Sequence, residues 1–221
     1  KFWKNMNLEL FKKRIYTSLF LSILLLLVFK FNFILYYILI IVFNISLIEF
    51  IHLMKKIYQK KISQYLTNLL FALYLFIYLL IFVILSDTFH LKIILFAILI
   101  GCVGSDIGGF IFGNLFKGAK LTNISPNKTI SGAIGSVIFS CIFISGIIFY
   151  FTQNFDPKIL IIGIITSIFC QLGDLFFSFL KRKAKIKDTG NLLPGHGGIL
   201  DRIDGILLGV PFGYLSIIFI Y

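Results

Sequence analysis

The chain has 221 residues, of which 59% are hydrophobic and 14% are charged, with 27 Phe and a mean hydropathy of +1.00. This apolar share far exceeds that of soluble domains, so it excludes a water-soluble globular fold and predicts an all-α polytopic membrane protein. The formal net charge of +12 does not indicate a nucleic-acid partner, because most cations flank apolar segments and form no basic stripe with interleaved aromatics.

Seven apolar segments are long enough to be considered as membrane spans. A transmembrane helix needs about 20 apolar residues to cross a hydrocarbon core of roughly 30 Å. The first segment is short, and only Lys30 and Asn32 separate it from the second. The predicted spans are Ile15 to Phe29, Phe33 to Ile51, Leu66 to Leu85, Leu91 to Phe112, Ile130 to Phe151, Ile159 to Leu180 and Gly205 to Tyr221.

Lys and Arg alternate between the two sides of these spans. The loops on one side hold 18 cations and those on the other side hold 3. By the positive-inside rule, the N-terminus and the loop after the sixth span face the cytoplasm. We therefore expect an integral protein of the cell inner (plasma) membrane, with its charged C-terminal loop in the cytoplasm.

The segment GCVGSDIGGFIFG places Asp106 among five glycines, late in the fourth span. A carboxylate at membrane depth needs a partner or an aqueous cavity, which favours a functional site. The alternative is a packing seam of small residues that contains one satisfied Asp.

The run Ser125-Pro126-Asn127-Lys128-Thr129 opens the fifth span. Backbone N–H groups at a helix start, together with hydroxyl groups and a Lys, suit a phosphate. An ordinary helix cap by Ser125 or Thr129 explains the same residues, and the pattern taken alone favours the cap.

Charge is concentrated between Gln171 and Asp204, which hold four of the nine acids and six of the 21 basic residues. At the end of the sixth span, Asp174, Ser178 and Lys181 are spaced i, i+4 and i+7 and share one face of a helix. That face can hold a metal ion and a phosphate together.

Beyond Pro194, the run Gly195-His196-Gly197-Gly198 lets a ligand approach the main chain. Asp201 and Asp204 follow at i and i+3, so a helical turn places both carboxylates on one face. Oxygen ligands of this kind suit Mg²⁺ bridged to a phosphate-bearing substrate. The alternative is a structural ion network with the cations Arg182, Lys187 and Arg202.

This stretch closely resembles the C-terminal signature of phosphatidate cytidylyltransferases, also called CDP-diacylglycerol synthases. Two upstream segments, SDIGGFIFGNLF and SPNKT, resemble further blocks of that family, so the resemblance covers roughly Gly104 to Asp204. The signature residues are Ser178, Lys181-Arg182, Lys187-Asp188, Pro194, His196-Gly197-Gly198, Asp201-Arg202 and Asp204.

One position departs from the family pattern. The family has Trp and then Glu or Gln before the glycine that follows its SP-x-KT block, whereas Ile130 and Ser131 precede Gly132 here. The departure argues against a conserved polar role for that side chain. The chain is also shorter than the family leads us to expect, so one or two N-terminal spans are expected to be missing.

The resemblance implies transfer of a cytidylyl group from CTP to phosphatidic acid, which gives CDP-diacylglycerol and pyrophosphate. It implies Mg²⁺ as one or two ions, with a second cation as a further option, an active site at the cytoplasmic face of the bilayer, and a homodimer. We interpret residues 1–221 as one integral membrane domain, with N-terminal spans in 1–100 and a catalytic half in 101–221 that carries the signature at 171–204.

The resemblance also implies roles for individual residues. Asp174, Asp201 and Asp204 are expected to hold the metal and, with Lys181 and Arg202, to form the catalytic group. The expected substrate-binding residues are Ser125, Lys128, Thr129, Ser178, Arg182, Lys187, Asp188, His196, Gly197, Gly198 and Asp106.

Two other functions stay open at this point. A CTP-dependent kinase of polyprenol-type lipids would use the same metal and nucleotide, whereas a transporter would use Asp106 and Asp174 as ion-pathway residues. Transport does not need the HGG-x-x-DR-x-D run. Glu49, at the end of the second span, is either a helix-end acid paired to a nearby Lys or a neighbour of the site.

Overall fold

Six long helices form most of the described chain, and each coincides with a predicted span. The structure is a computed structural model and describes residues 23–122, 125–126, 128–190, 192 and 197–220. Residues 23–30 are also helical and agree with the end of the first predicted span, whose residues 15–22 lie outside the described part. The six helices are α1 (Asn32–Ile57), α2 (Lys61–Asp87), α3 (Phe89–Phe116), α4 (Ile130–Thr152), α5 (Lys158–Lys183) and α6 (Leu200–Ile220).

Each of the six helices is long and apolar enough to cross a membrane. They have 21 to 28 residues, and their most apolar windows have mean hydropathies of 2.0 to 2.8. At about 1.5 Å per residue, some 20 residues cover the hydrocarbon core. The chain is therefore an integral membrane protein, and the predicted all-α class is confirmed. Several helices run past the predicted spans because backbone hydrogen bonding continues into polar flanks such as Lys55 and Lys56 of α1.

The ends of the helices have local causes. The side chain of Thr129 caps α4 by accepting a hydrogen bond from Gly132 N at 3.1 Å. Lys117 and Gln153, directly after α3 and α4, are left-handed with φ values of 42° and 54°. Such a conformation reverses the chain direction and ends a helix.

The described chain falls into two compact units, each built from two separate stretches of sequence. The first unit comprises the described residues of Lys1–Val83 and Lys183–Arg202, and the second comprises those of Ile84–Arg182 and Ile203–Tyr221. The prediction of a single membrane domain stays a prediction.

Aromatic side chains join α1 to α2 in the first unit. Phe50 stacks on Phe71 with ring centroids 3.9 Å apart, and Phe43 meets Tyr78 edge to face at 5.5 Å. Buried aromatic pairs of this kind contribute about 1 kcal/mol each beyond their buried area. They fix the C-terminal half of α1, which carries Glu49.

Glycines bring α3 and α4 into backbone contact in the second unit. A Cβ atom added to Gly108 would lie 2.8 Å from the carbonyl carbon of Gly135, and one added to Gly135 would lie 2.7 Å from Gly108 O. Small residues at such positions let two membrane helices pack closely. The contact fixes Asp106 and Gly109 opposite the first turns of α4.

A second close approach joins α5 to α6. A Cβ atom added to Gly173 would lie 3.2 Å from Gly205 Cα, and one added to Gly205 would lie 2.7 Å from Cys170 Sγ. Because Asp174 follows Gly173 and Asp204 precedes Gly205, this contact brings the two acidic residues onto neighbouring turns of adjacent helices.

Candidate functional site

A cavity of about 300 Å³ lies in the second unit, between α3, the loop before α4, α4 and α5. It brings together three predicted segments that are far apart in sequence: the glycine-rich end of α3, the SPNKT run and the polar face of α5. Its lining residues are Asp106, Gly109, Phe110, Leu121, Ser125, Lys128, Thr129, Gly132, Ala133, Ser136, Gln171 and Asp174.

An ion pair between Lys128 and Asp174 forms one wall of this cavity. The two side chains are 26% and 31% exposed, so ligands can reach both. The loop holds Lys128 through its backbone, because Leu121 N donates to Lys128 O at 2.8 Å and Lys128 N donates to Ser125 O at 3.0 Å. The lysine of the predicted phosphate-binding run thus lies beside a predicted metal ligand.

Thr129 tests the helix-cap interpretation of the SPNKT run, whereas phosphate binding by this run stays a prediction. Its hydroxyl oxygen accepts from Gly132 N, which confirms the helix cap, and its side chain also lines the cavity. Ser131, where the family has Glu or Gln, lies 3.1 Å from the Thr129 hydroxyl and accepts from Gly118 N at 3.3 Å. The residue that departs from the family pattern, Ser131, therefore supplies a hydroxyl group that links Gly118 and Thr129 at the two ends of the loop before α4.

The predicted polar face of α5 continues from the cavity towards Lys181. Ser178 Oγ donates to Asp174 Oδ1 at 3.3 Å, and Lys181 Nζ lies 3.6 Å from Asp204 Oδ2. Asp204 is also within electrostatic range of the carboxylates of Asp174 and Asp106. The second unit thus gathers three acids and two lysines in one cluster.

Mg²⁺ prefers carboxylate oxygen atoms, and this cluster supplies them. Asp174 and Asp204 lie on the adjacent helices α5 and α6, and Asp204 is 8% exposed. Over the described ranges, no three His, Cys, Asp or Glu side chains are grouped closely enough to hold a metal ion. The cluster thus supplies two carboxylates, Asp174 and Asp204, each paired with a lysine, and a magnesium site there stays a prediction.

Asp201 belongs to the first unit, where it binds the signature loop, by which we mean the described residues 184–190, 192 and 197–199 between α5 and α6. Its Oδ2 atom accepts from Thr189 N at 2.8 Å and from Gly198 N at 3.1 Å. Gly197 has a φ of 88°, a conformation that favours glycine. The carboxylate of Asp201 thus binds backbone N–H groups of the loop, and its role as a metal ligand stays a prediction.

The other predicted residues are distributed as follows. Arg182 lies at the end of α5, and Lys187 and Asp188 lie in the signature loop, with exposed side chains. Arg202 is exposed in the first turn of α6. His196 and Pro194 lie outside the described residues.

Sequence reasoning missed two polar residues of the cavity wall. Gln171 Nε2 donates to Ala133 O at 3.3 Å and to Ser167 Oγ at 3.1 Å, which links α5 to α4. Gln171 lies three residues before Asp174 on the polar face of α5, so the helical period could have found it. Ser136 is a small residue in an apolar span, and nothing in the sequence distinguishes it from packing residues.

Comparison with known proteins identifies the family of this chain. The model of the cytidylyltransferase family matches residues 3–220. The chain therefore belongs to that family, and the resemblance inferred from the motifs is confirmed.

Three similar relatives are each named phosphatidate cytidylyltransferase. The chain is 47% identical over 130 residues to the phosphatidate cytidylyltransferase of Staphylococcus haemolyticus, covering 57% of this chain and 48% of the relative. It is 43% identical over 123 residues to that of Staphylococcus aureus strain COL, covering 55% and 47%. It is 40% identical over 150 residues to that of Rickettsia conorii, covering 64% of each chain. The chain thus spans about half the length of the staphylococcal relatives that it matches.

Proposed function

We propose that this member of the cytidylyltransferase family transfers the cytidylyl group of CTP to phosphatidic acid, giving CDP-diacylglycerol and pyrophosphate. The observation that carries the proposal is the cavity, whose wall combines the Lys128–Asp174 ion pair with the hydroxyl groups of Ser125 and Thr129. Cationic and hydroxyl groups beside carboxylates suit phosphates and their counter-ions. The names of the relatives support the same reaction.

The chemistry of the acceptor substrate limits what the protein has to supply. A phosphate monoester carries a charge between −1.5 and −2 at about pH 7, so it is already a nucleophile without a strong general base. One of its oxygen atoms forms a bond to the α-phosphorus of CTP, and the bond from that phosphorus to the leaving pyrophosphate oxygen breaks. Catalysis then consists of positioning and charge neutralisation.

The lysines of the cluster are suited to that neutralisation. Lys128 and Lys181 each face a carboxylate in the structure, at Asp174 and Asp204. In the proposed complex, these ammonium groups bind phosphate oxygens, while the Ser125 and Thr129 hydroxyls donate hydrogen bonds to them. Asp106 of α3 also lines the cavity and adds a carboxylate to its polar lining.

Mg²⁺ is part of the proposal, as one or two ions or with a second cation. Asp174 and Asp204 would hold it, with Asp201 as the third candidate ligand. The bound ion would neutralise charge that builds up on the phosphates. The support is the donor chemistry of two carboxylates on adjacent helices.

The proposal assigns supporting roles to the remaining signature residues. Exposed cations attract the triphosphate, and Gly197 lets it approach the main chain. The residues with supporting roles are Arg182, Lys187, Arg202, Ser178, Asp188, His196, Gly197 and Gly198.

The membrane setting of the reaction is also proposed. A diacyl lipid arrives from the bilayer and CTP arrives from water, so a cavity between membrane helices serves both substrates. The distribution of 18 cations against 3 supports a cytoplasmic active site in the inner (plasma) membrane. A homodimer is proposed from the family resemblance.

The test uses the purified protein in detergent with Mg²⁺, phosphatidic acid and CTP labelled at the α-phosphorus. We expect label to enter the lipid phase, to require phosphatidic acid, and to disappear with EDTA. In parallel, CTP labelled at the γ-phosphorus is offered with a prenol. If lipid is labelled only in the assay with γ-labelled CTP and the prenol, the protein is a kinase instead. If neither phosphatidic acid nor the prenol is labelled, both enzymatic functions are contradicted.

A further inference from the structure

Glu49 of α1 is a buried carboxylate that binds the signature loop. Its side chain is 5% exposed. Glu49 Oε2 accepts from Thr189 Oγ1 at 2.8 Å and from Leu200 N at 2.9 Å, and Oε1 accepts from Ile199 N at 3.1 Å. Hydrogen bonds to a buried carboxylate are about twice as strong as those between neutral groups.

These three donors include the first backbone groups of α6. Leu200 N and Ile199 N lie at the start of that helix, where N–H groups have no partner within the helix. A carboxylate at a helix N-terminus also interacts favourably with the helix dipole. Glu49 therefore fixes where α6 begins, one residue before Asp201.

Glu49 and Asp201 bind the same short pieces of the loop. Thr189 donates its hydroxyl to Glu49 and its backbone N–H to Asp201. Gly198 N donates to Asp201, and a Cβ atom added to Gly198 would lie 2.5 Å from Glu49 Oε2. Gly190 approaches the Glu49 carboxylate equally closely, since a Cβ atom added to Gly190 would lie 2.6 Å from Glu49 Oε1.

The packing of Glu49 against the loop explains why a glycine stands at position 198 of the signature. The residue is buried, and any side chain there would displace the carboxylate of Glu49. The acid in α1 and the glycine of the loop are therefore two parts of one contact, although about 150 residues separate them in sequence.

We propose that Glu49 is a positioning residue for the signature loop. It holds Thr189, Gly198 and Asp201 in the arrangement that the active enzyme needs. Glu49 acts through the loop and does not itself contact substrate. The inference deepens the proposed function and rests on it only for the effect on turnover.

Backbone amide exchange of the loop tests the positioning directly. Glu49→Gln replaces one acceptor oxygen by an NH₂ group that meets amide donors. We expect the amides of Thr189, Gly198, Ile199 and Leu200 to exchange about tenfold faster or more. The matched control is Asp87→Asn, which makes the same chemical change on an exposed side chain at the end of α2.

Thr189 provides a second pair of variants if Glu49→Gln does not fold. Thr189→Val removes the hydroxyl donor to Glu49 and keeps the N–H that binds Asp201, whereas Thr189→Ser keeps both. We expect Thr189→Val to speed exchange at Ile199 and Leu200 severalfold, and Thr189→Ser to resemble the wild type. Equal exchange in the two variants would overturn the proposal.

Turnover provides the functional readout. We expect Glu49→Gln to lower kcat for transfer of label from CTP to lipid about tenfold or more, with exchange in α3 and α4 unchanged. Unchanged loop exchange, or equal acceleration in every helix, would overturn the positioning role. If the wild-type protein transfers no label, the proposed function fails, while the exchange rates still report on Glu49.

Discussion

Lys128, in the loop before α4, forms an ion pair with Asp174 of α5, and both side chains line the cavity. The pair joins a residue predicted to bind phosphate to a residue predicted to bind metal. In the proposed function, an anionic substrate would bind Lys128 and a cation would bind Asp174, so each side chain would exchange its protein partner for a ligand. Until then, the ion pair compensates both charges.

Asp174→Asn removes the carboxylate of this pair without changing its shape. We expect kcat for lipid labelling to fall about 100-fold or more, because charge placed at a phosphoryl-transfer site has effects of that size. The measurement is transfer of α-phosphorus label from CTP into lipid. Asp87→Asn is the control and is expected to keep its activity. Near-normal turnover of Asp174→Asn would show that the Asp174 carboxylate has no catalytic role.

Lys181→Met tests the ion pair with Asp204. The two side chains are 12% and 11% exposed, and removing one partner of a buried pair leaves a charge without compensation. We expect the free energy of unfolding in detergent to fall by roughly 3 kcal/mol. Lys183→Met, on an exposed side chain two residues later, is expected to change it far less. Equal losses in the two variants would show that the pair does not stabilise the fold.

Gly108→Ala tests the close approach of α3 and α4. The added methyl group would lie within 2.8 Å of Phe139 Cβ, so the helices must separate, and we expect a loss of about 1 to 3 kcal/mol in stability. Gly146→Ala in α4 is the matched control, because no atom outside the adjacent helix backbone lies within 4 Å of a Cβ atom added there. That variant gains helix propensity and is expected to be neutral or stabilised by up to about 1 kcal/mol. Thermal unfolding of both variants in detergent decides the comparison.

Thr129→Val separates the capping role of Thr129 from its place in the cavity. We expect a loss of about 1 kcal/mol in unfolding free energy, because Gly132 N loses its acceptor. The KM for CTP should also rise, since a hydroxyl group leaves the cavity wall. Thr129→Ser keeps the hydroxyl and is expected to behave like the wild type in both measurements. A stability loss with unchanged KM would leave Thr129 a cap only.

The helices were predictable because burial in a bilayer demands a continuous apolar run, which is a local property of sequence. The polar face of α5 was predictable for a similar reason, since the helical period relates Asp174, Ser178 and Lys181. The helix bounds were less predictable, because the helices continue into polar flanks where hydropathy carries no signal.

The partners of Glu49 and Lys128 were not predictable from local patterns. Glu49 binds Thr189 and Leu200, which lie 140 and 151 residues away, and only the packing of α1 and the loop brings them together. The family signature marked Asp201 as functional, but it did not show that this carboxylate holds Thr189 N and Gly198 N. Those contacts depend on a loop conformation that residue spacing does not determine.

Two stretches of chain form the first unit, and α3, α4 and nearly all of α5 are synthesised between them. During translation, Glu49 leaves the ribosome long before Leu200, and at typical elongation rates the delay is on the order of ten seconds. For most of that interval, until Thr189 has been made, the nascent chain contains none of the three donors that bind this carboxylate. Completion of the signature loop is therefore a late event in biogenesis, and the hydrogen bonds from the start of α6 to Glu49 form only after α3, α4 and α5 have been synthesised.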